Sequence, residues 1–99
     1  MKITVLGSNG WFDTDTGSTN CVLLQTSDYS VIMDAGFGIT KIKNRVDFSK
    51  PVYLFLTHLH LDHVIGLHAL DYFNFEQPLR VITPIGGTDD LKDLLRSPF

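Results

Sequence analysis

Cysteine is nearly absent from the 99 residues: Cys21 stands alone, so no internal disulfide can form, and a reducing, cytoplasmic setting is expected. Cys21 lies in the apolar run Cys21-Val22-Leu23-Leu24, which marks it as a buried structural thiol rather than a nucleophile. Long hydrophobic runs are missing too. Nothing approaches the ~20 apolar residues a membrane span needs, and MKITVLGSNG at the start has too short an apolar run for a signal-peptide core. No membrane association is expected. Positive charge is scarce, with 8 Lys and Arg against 11 Asp and Glu and a formal net charge of −3. The chain as a whole therefore exerts no pull on nucleic acid, although a local basic patch stays open. Repeats, low-complexity tracts and linkers do not occur.

Apolar material is plentiful. The hydrophobic share of 43%, with seven Phe and one Trp, is enough for a core and argues against disorder. The length suits one small domain or part of a larger one, since whole domains commonly run to ~100–150 residues.

Lys2 to Leu6 is rich in β-branched residues and stops at Gly7-Ser8-Asn9-Gly10, which predicts a strand entering a tight loop. Gly10 to Asn20 is polar and reads as a long surface loop. Cys21 to Thr26 and Ser30 to Asp34 predict two strands of a hairpin around Ser27-Asp28-Tyr29. Ile39 to Asn44 reads as a short helix. Val52 to Leu56 (VYLFL) is a continuous apolar run, expected as a strand buried on both faces. His63 to Phe73 predicts a helix, Leu79 to Thr83 a strand, and Thr88 to Arg96 a helix capped by Thr88 with Asp89 and Asp90 in its first turn. Strands followed by strand–helix alternation predict an α/β fold, a sheet covered by helices.

Three of the four histidines fall within THLHLDHVIGL, residues 57–67. In an extended chain successive side chains point to opposite sides. His58, His60 and Asp62 then share one side, Leu59 and Leu61 anchor the other in the core, and His63 starts the helix. The cluster would sit at the carboxyl end of a buried strand, where sheet-based folds often bind ligands. Imidazole and carboxylate suit zinc, manganese or iron, and such a metal lowers the pKa of bound water. The bland alternative is a half-buried strand whose histidines are hydrogen-bonded or solvated. Asp34, in Asp34-Ala35-Gly36-Phe37-Gly38, is either a turn aspartate or a partner of the histidine loop. Ser8, Asn9 and Gly10 either border the site or form a plain turn. His68 lies off the motif's helix face, and Asp71, Glu76, Asp89 and Asp90 have no ligand spacing.

THLHLDH resembles the H-x-H-x-D-H signature of the metallo-β-lactamase fold superfamily. DHVIGL, MKITVLGSNG and VIMDAGFG are similar to its ribonuclease Z-like and phosphodiesterase-like branch. The resemblance implies an αββα sandwich with two metal ions, expected as zinc with manganese or iron as alternatives. His58 and His60 would hold the first metal and Asp62 and His63 the second. Asp62 would be the catalytic residue, and Asp34 would order the histidine loop from behind. A water activated by the metal pair would attack a phosphodiester or related ester, in a small molecule or a nucleic acid. The branch that grips tRNA normally carries a dedicated RNA-binding element, and neither a basic run nor an inserted arm occurs here. The family completes its site with later histidines and a bridging aspartate, whereas no histidine follows His68. Residues 1–99 are accordingly expected to be the N-terminal half of the domain, a mixed sheet with helices on one face and the other face open. Each metal would keep two protein ligands. The competing expectation is a non-catalytic half-domain that self-associates, or awaits its C-terminal half, and binds metal weakly or not at all.

Overall fold

The computed structural model describes residues 1–94. Five strands form one mixed sheet in the order β1-β2-β3-β4-β5: β1 Lys2–Gly7, β2 Cys21–Gln25, β3 Ser30–Met33, β4 Val52–Phe55 and β5 Arg80–Ile82. β1 and β2 pair antiparallel, as do β2 and β3 across a turn in which the Thr26 hydroxyl accepts from the Asp28 and Tyr29 amides. β3–β4 and β4–β5 are parallel, which requires crossovers. A 3₁₀ helix, Phe37–Asn44, makes the first crossover; a short α-helix, Leu61–Val64, and a 3₁₀ helix, Ile65–Tyr72, make the second.

The helices cover one face. Leu23, Ile32 and Leu54, adjacent across three strands, are fully buried and pack in one cluster with Ile39, Ile42, Val64 and Leu67. The opposite face carries the rows Ile3–Leu24–Val31–Tyr53 and Val5–Val22–Met33–Phe55–Ile82. None of these residues is buried, and no helix among the described residues lies over them. β4 therefore departs from the expectation of burial on both faces: Val52 and Leu54 are buried, Tyr53 is half-buried and Phe55 is 41% exposed. Its continuous apolar run is real, but helices shield only one side of it.

Helix boundaries also differ from the pattern reading, the first crossover helix starting at Phe37 rather than Ile39. The helix expected from His63 begins at Leu61 and soon tightens to 3₁₀, because its backbone is drawn against the 34–36 segment: Ala35 N–H donates to His63 O, and Gly66 N–H to Ala35 O, both at 2.7 Å. The closing helix runs over Gly87–Leu94, so Thr88 lies inside it rather than capping it; its hydroxyl meets that of Thr83 at 2.9 Å. Arg96, the expected end of that helix, lies outside the described residues. Glycine is required where the two segments cross. A Cβ on Gly36 would lie 2.6 Å from Asp62 O, and one on Gly66 would collide with Gly36 O and Ala35 O.

Candidate metal centre

β4 ends at Phe55 and delivers Thr57-His58-Leu59-His60 as extended chain before the helix starts at Leu61. The His58 ring lies 4.6 Å from that of His60 and 4.0 Å from that of His63, centroid to centroid. Asp62 Oδ2 is 3.6 Å from His63 Nε2. Four side chains thus gather in one region, at the carboxyl end of a central strand. The means differ from simple alternation. Leu59 packs against the core as an anchor, but Leu61 is 65% exposed, because helix formation at Leu61 turns it outward. Asp62 is aimed by the helix rather than by the strand pleat.

Asp34 sits behind this cluster. Its backbone is left-handed (φ 65°), a region that aspartate tolerates better than most residues. The carboxylate is buried and accepts the Thr57 N–H at 2.8 Å and the Thr57 hydroxyl at 2.9–3.0 Å. Its Oδ2 also stands 2.9 Å from His63 Nδ1. That contact is close but poorly aligned, so the buried Nδ1 makes no well-formed hydrogen bond. His63 Nε2, on the far side of the ring, meets Asn20 Nδ2 at 3.1 Å. An amide nitrogen can only donate, so this contact puts the lone pair on Nε2 and the proton on Nδ1.

Trp11 completes the rim. Phe12 N–H donates to Gly10 O at 2.8 Å, which makes Trp11 (φ 69°) the centre of a γ-turn, and its own N–H donates to Asp62 Oδ2 at 3.1 Å. That N–H is the main cause holding the Asp62 carboxyl below the usual carboxylate range; His63 and His60 act in the same direction and partial burial acts against it. Trp11, His60, Leu61 and Asp62 line a cleft of about 540 Å³.

Neither Trp11 nor Asn20 was marked by the sequence as a neighbour of the motif. Their contacts span 51 and 43 residues, and no local pattern encodes them. Asn9 instead serves its own loop, donating to Thr14 Oγ1 and Gly17 O. His68 is exposed and meets Phe37 edge-on at 5.8 Å, and Asp71, Glu76, Asp89 and Asp90 are exposed.

The donor set suits zinc, manganese or iron in kind. In geometry it is a partial shell: among the described residues no three His, Cys, Asp or Glu side chains converge into a group that could by itself hold a metal ion.

A mixed five-stranded sheet with helices over one face defines an α/β fold. The sequence profile of the metallo-beta-lactamase superfamily matches residues 14–73, and the chain belongs to that superfamily. It is 33% identical over 100 residues to a ribonuclease Z from Natronomonas pharaonis, covering 96% of this chain and 32% of that protein. The crystal structure of the metallo-beta-lactamase fold protein YhfI from Bacillus subtilis superposes with a TM-score of 0.77 at 24% identity, covering 96% of this chain and 41% of that one. Human tRNase Z, short form, superposes with a TM-score of 0.72 at 26% identity, covering 95% and 40%. The chain spans about a third of the length of the curated relatives it matches. No described helix is long and apolar enough to cross a membrane.

Proposed function

We propose that this chain supplies part of the catalytic centre of a metal-dependent hydrolase acting on phosphodiester or related ester bonds. The observation that carries the reading is the gathering of His60 and His63 around His58, at 4.6 and 4.0 Å between ring centroids, with Asp62 beside His63 and Asp34 bracing from behind. The similarity to proteins named ribonuclease Z supports a phosphodiester, and with it a nucleic-acid substrate.

His58 and His60 would hold one metal ion and Asp62 and His63 a second, zinc being the best match to the donors and manganese or iron the alternatives. A bound metal of this kind supplies a water that is nucleophilic at neutral pH. Around it, the chain's own residues position and bind. Asp34 holds Thr57 at the base of the histidine loop and sets its carboxylate against His63 Nδ1. By donating to Asp62 Oδ2, the Trp11 N–H aims that carboxylate and favours its ionised form. The Asn20 amide is the group a metal would displace from His63 Nε2.

Residues 1–99 serve, in this reading, as the N-terminal half of a domain whose second half supplies the remaining ligands and covers the open sheet face. A lone, buried Cys21 is consistent with a cytoplasmic setting. The open face favours one second reading, a non-catalytic half-domain that self-associates and binds metal weakly.

Zinc titration coupled to hydrolysis of bis(p-nitrophenyl) phosphate separates the two. Two tightly bound zinc ions, with turnover that His63→Ala lowers by ~100-fold or more, are expected if copies of this chain complete the site for one another, since loss of a mere outer partner of a ligand costs ~10–100-fold. Absence of both tight metal and turnover would sink such a site for this chain.

A further inference from the structure

We propose that Trp11 is a stacking platform for a nucleobase next to the bond the site acts on. The proposal rests on the phosphodiesterase reading and names the part of the substrate that the cleft grips.

Trp11 is 90% exposed although it is the chain's only tryptophan, and large aromatic side chains are seldom left in water without a reason. Its backbone is held in a conformation rare for a bulky residue, and such strain persists where the surroundings enforce it. Enforcement comes from both sides. Phe12 N–H closes the turn onto Gly10 O, and Asp62 Oδ2 accepts the Trp11 N–H at 3.1 Å. The loop is further pinned where Asp13 Oδ1 accepts the Thr19 N–H at 2.7 Å. The indole is therefore tethered at its root to one of the motif residues and free at its face.

The cleft below it has two kinds of wall. Trp11 and Leu61 are apolar and exposed; His60 and Asp62 are polar and belong to the histidine cluster. Its volume of about 540 Å³ falls within the range usual for small-ligand pockets. A nucleotide has the matching asymmetry: a flat aromatic ring, then a phosphodiester one sugar away. Stacking does not read base identity, because every base has a π-face, so the platform confers a preference for nucleotides over simple phosphate esters.

As the single tryptophan, Trp11 reports its own occupancy by fluorescence. Adenosine 5′-monophosphate is expected to quench it saturably and ribose 5-phosphate to leave it unchanged. By calorimetry, Trp11→Ala should weaken AMP binding by ~5–150-fold, the range expected for one base–aromatic stack, while Trp11→Phe retains most of the affinity. Trp11 is 90% exposed and lies outside the core cluster of the described residues, so circular dichroism of both variants should match the parent. Equal responses to AMP and ribose 5-phosphate, no saturable quenching by AMP, or AMP affinity unaffected by Trp11→Ala would each overturn the proposal. So would quenching that follows protein concentration rather than AMP, the signature of a second copy in the cleft. Binding is read without turnover, which keeps the two readings separable. AMP-selective quenching without zinc binding or hydrolysis of bis(p-nitrophenyl) phosphate keeps the platform and removes a site completed between copies of this chain, and hydrolysis with indifferent Trp11 removes the platform.

Discussion

Asp34 combines a left-handed backbone with a buried carboxylate that joins the end of β3 to Thr57 and His63. Asp34→Ala strands the Thr57 N–H and removes an anionic acceptor, so a loss of about 2–4 kcal/mol is expected in urea unfolding. Asp34→Asn should lose less, because asparagine also tolerates the left-handed region and can accept from Thr57. The position of Asp34 beside the motif follows from its place at a strand end, whereas its positive φ leaves no mark in the residue order. Cys21 is a second buried group with a readable consequence. Burial above all, then the charge of Asp34, pushes its thiol from 9.0 up to about 12, with Lys41 acting against them. The folded chain thus keeps a proton that the unfolded chain releases. Stability from this source is complete below pH ~9 and falls by up to ~1.4 kcal/mol per pH unit on the way to ~12. Urea midpoints at about pH 8 and 10.5 should diverge more in the parent than in Cys21→Ala.

Among the elements, the crossing of the 34–36 segment with the 61–66 segment fixes where the motif points. Ala35 exchanges backbone hydrogen bonds with both His63 and Gly66. Gly66→Ala would drive a methyl into Gly36 O and Ala35 O, costing about 1–3 kcal/mol and shifting the His63 ring. Gly10→Ala is the control, since nothing lies within 4 Å of a Cβ there, and its effect should stay within ~0.5 kcal/mol. Denaturant midpoints, with imidazole NMR shifts for His63, measure both. The strands were legible because β-branched runs between glycines and polar turns encode them locally. The helix start at Leu61 and its 3₁₀ continuation were not, because backbone contacts with a segment some 30 residues earlier decide them. The histidine cluster was legible as a motif; Trp11 and Asn20, reached only through the fold, were not.

For the molecule as a whole, the feature to test is the sheet face that no described helix covers. Ile3, Val5, Phe55 and Ile82 are all exposed on it, and an apolar surface of this kind associates or aggregates. The chain alone is expected to sediment as concentration-dependent oligomers, and Val5→Lys with Phe55→Lys should shift it toward monomer. Because neither side chain belongs to the buried core, stability should change little; an unchanged sedimentation profile would argue against this face as the contact.

The sheet's spatial order follows its order in sequence, β1 through β5. Each strand after β1 therefore pairs with the strand that precedes it in the chain. The antiparallel β1–β3 meander can assemble before the histidine motif exists, and β4 then carries the motif onto a prepared edge. In chain order the scaffold strands thus precede the chemistry, and β5, the last strand among the described residues, forms one edge of the sheet as β1 forms the other.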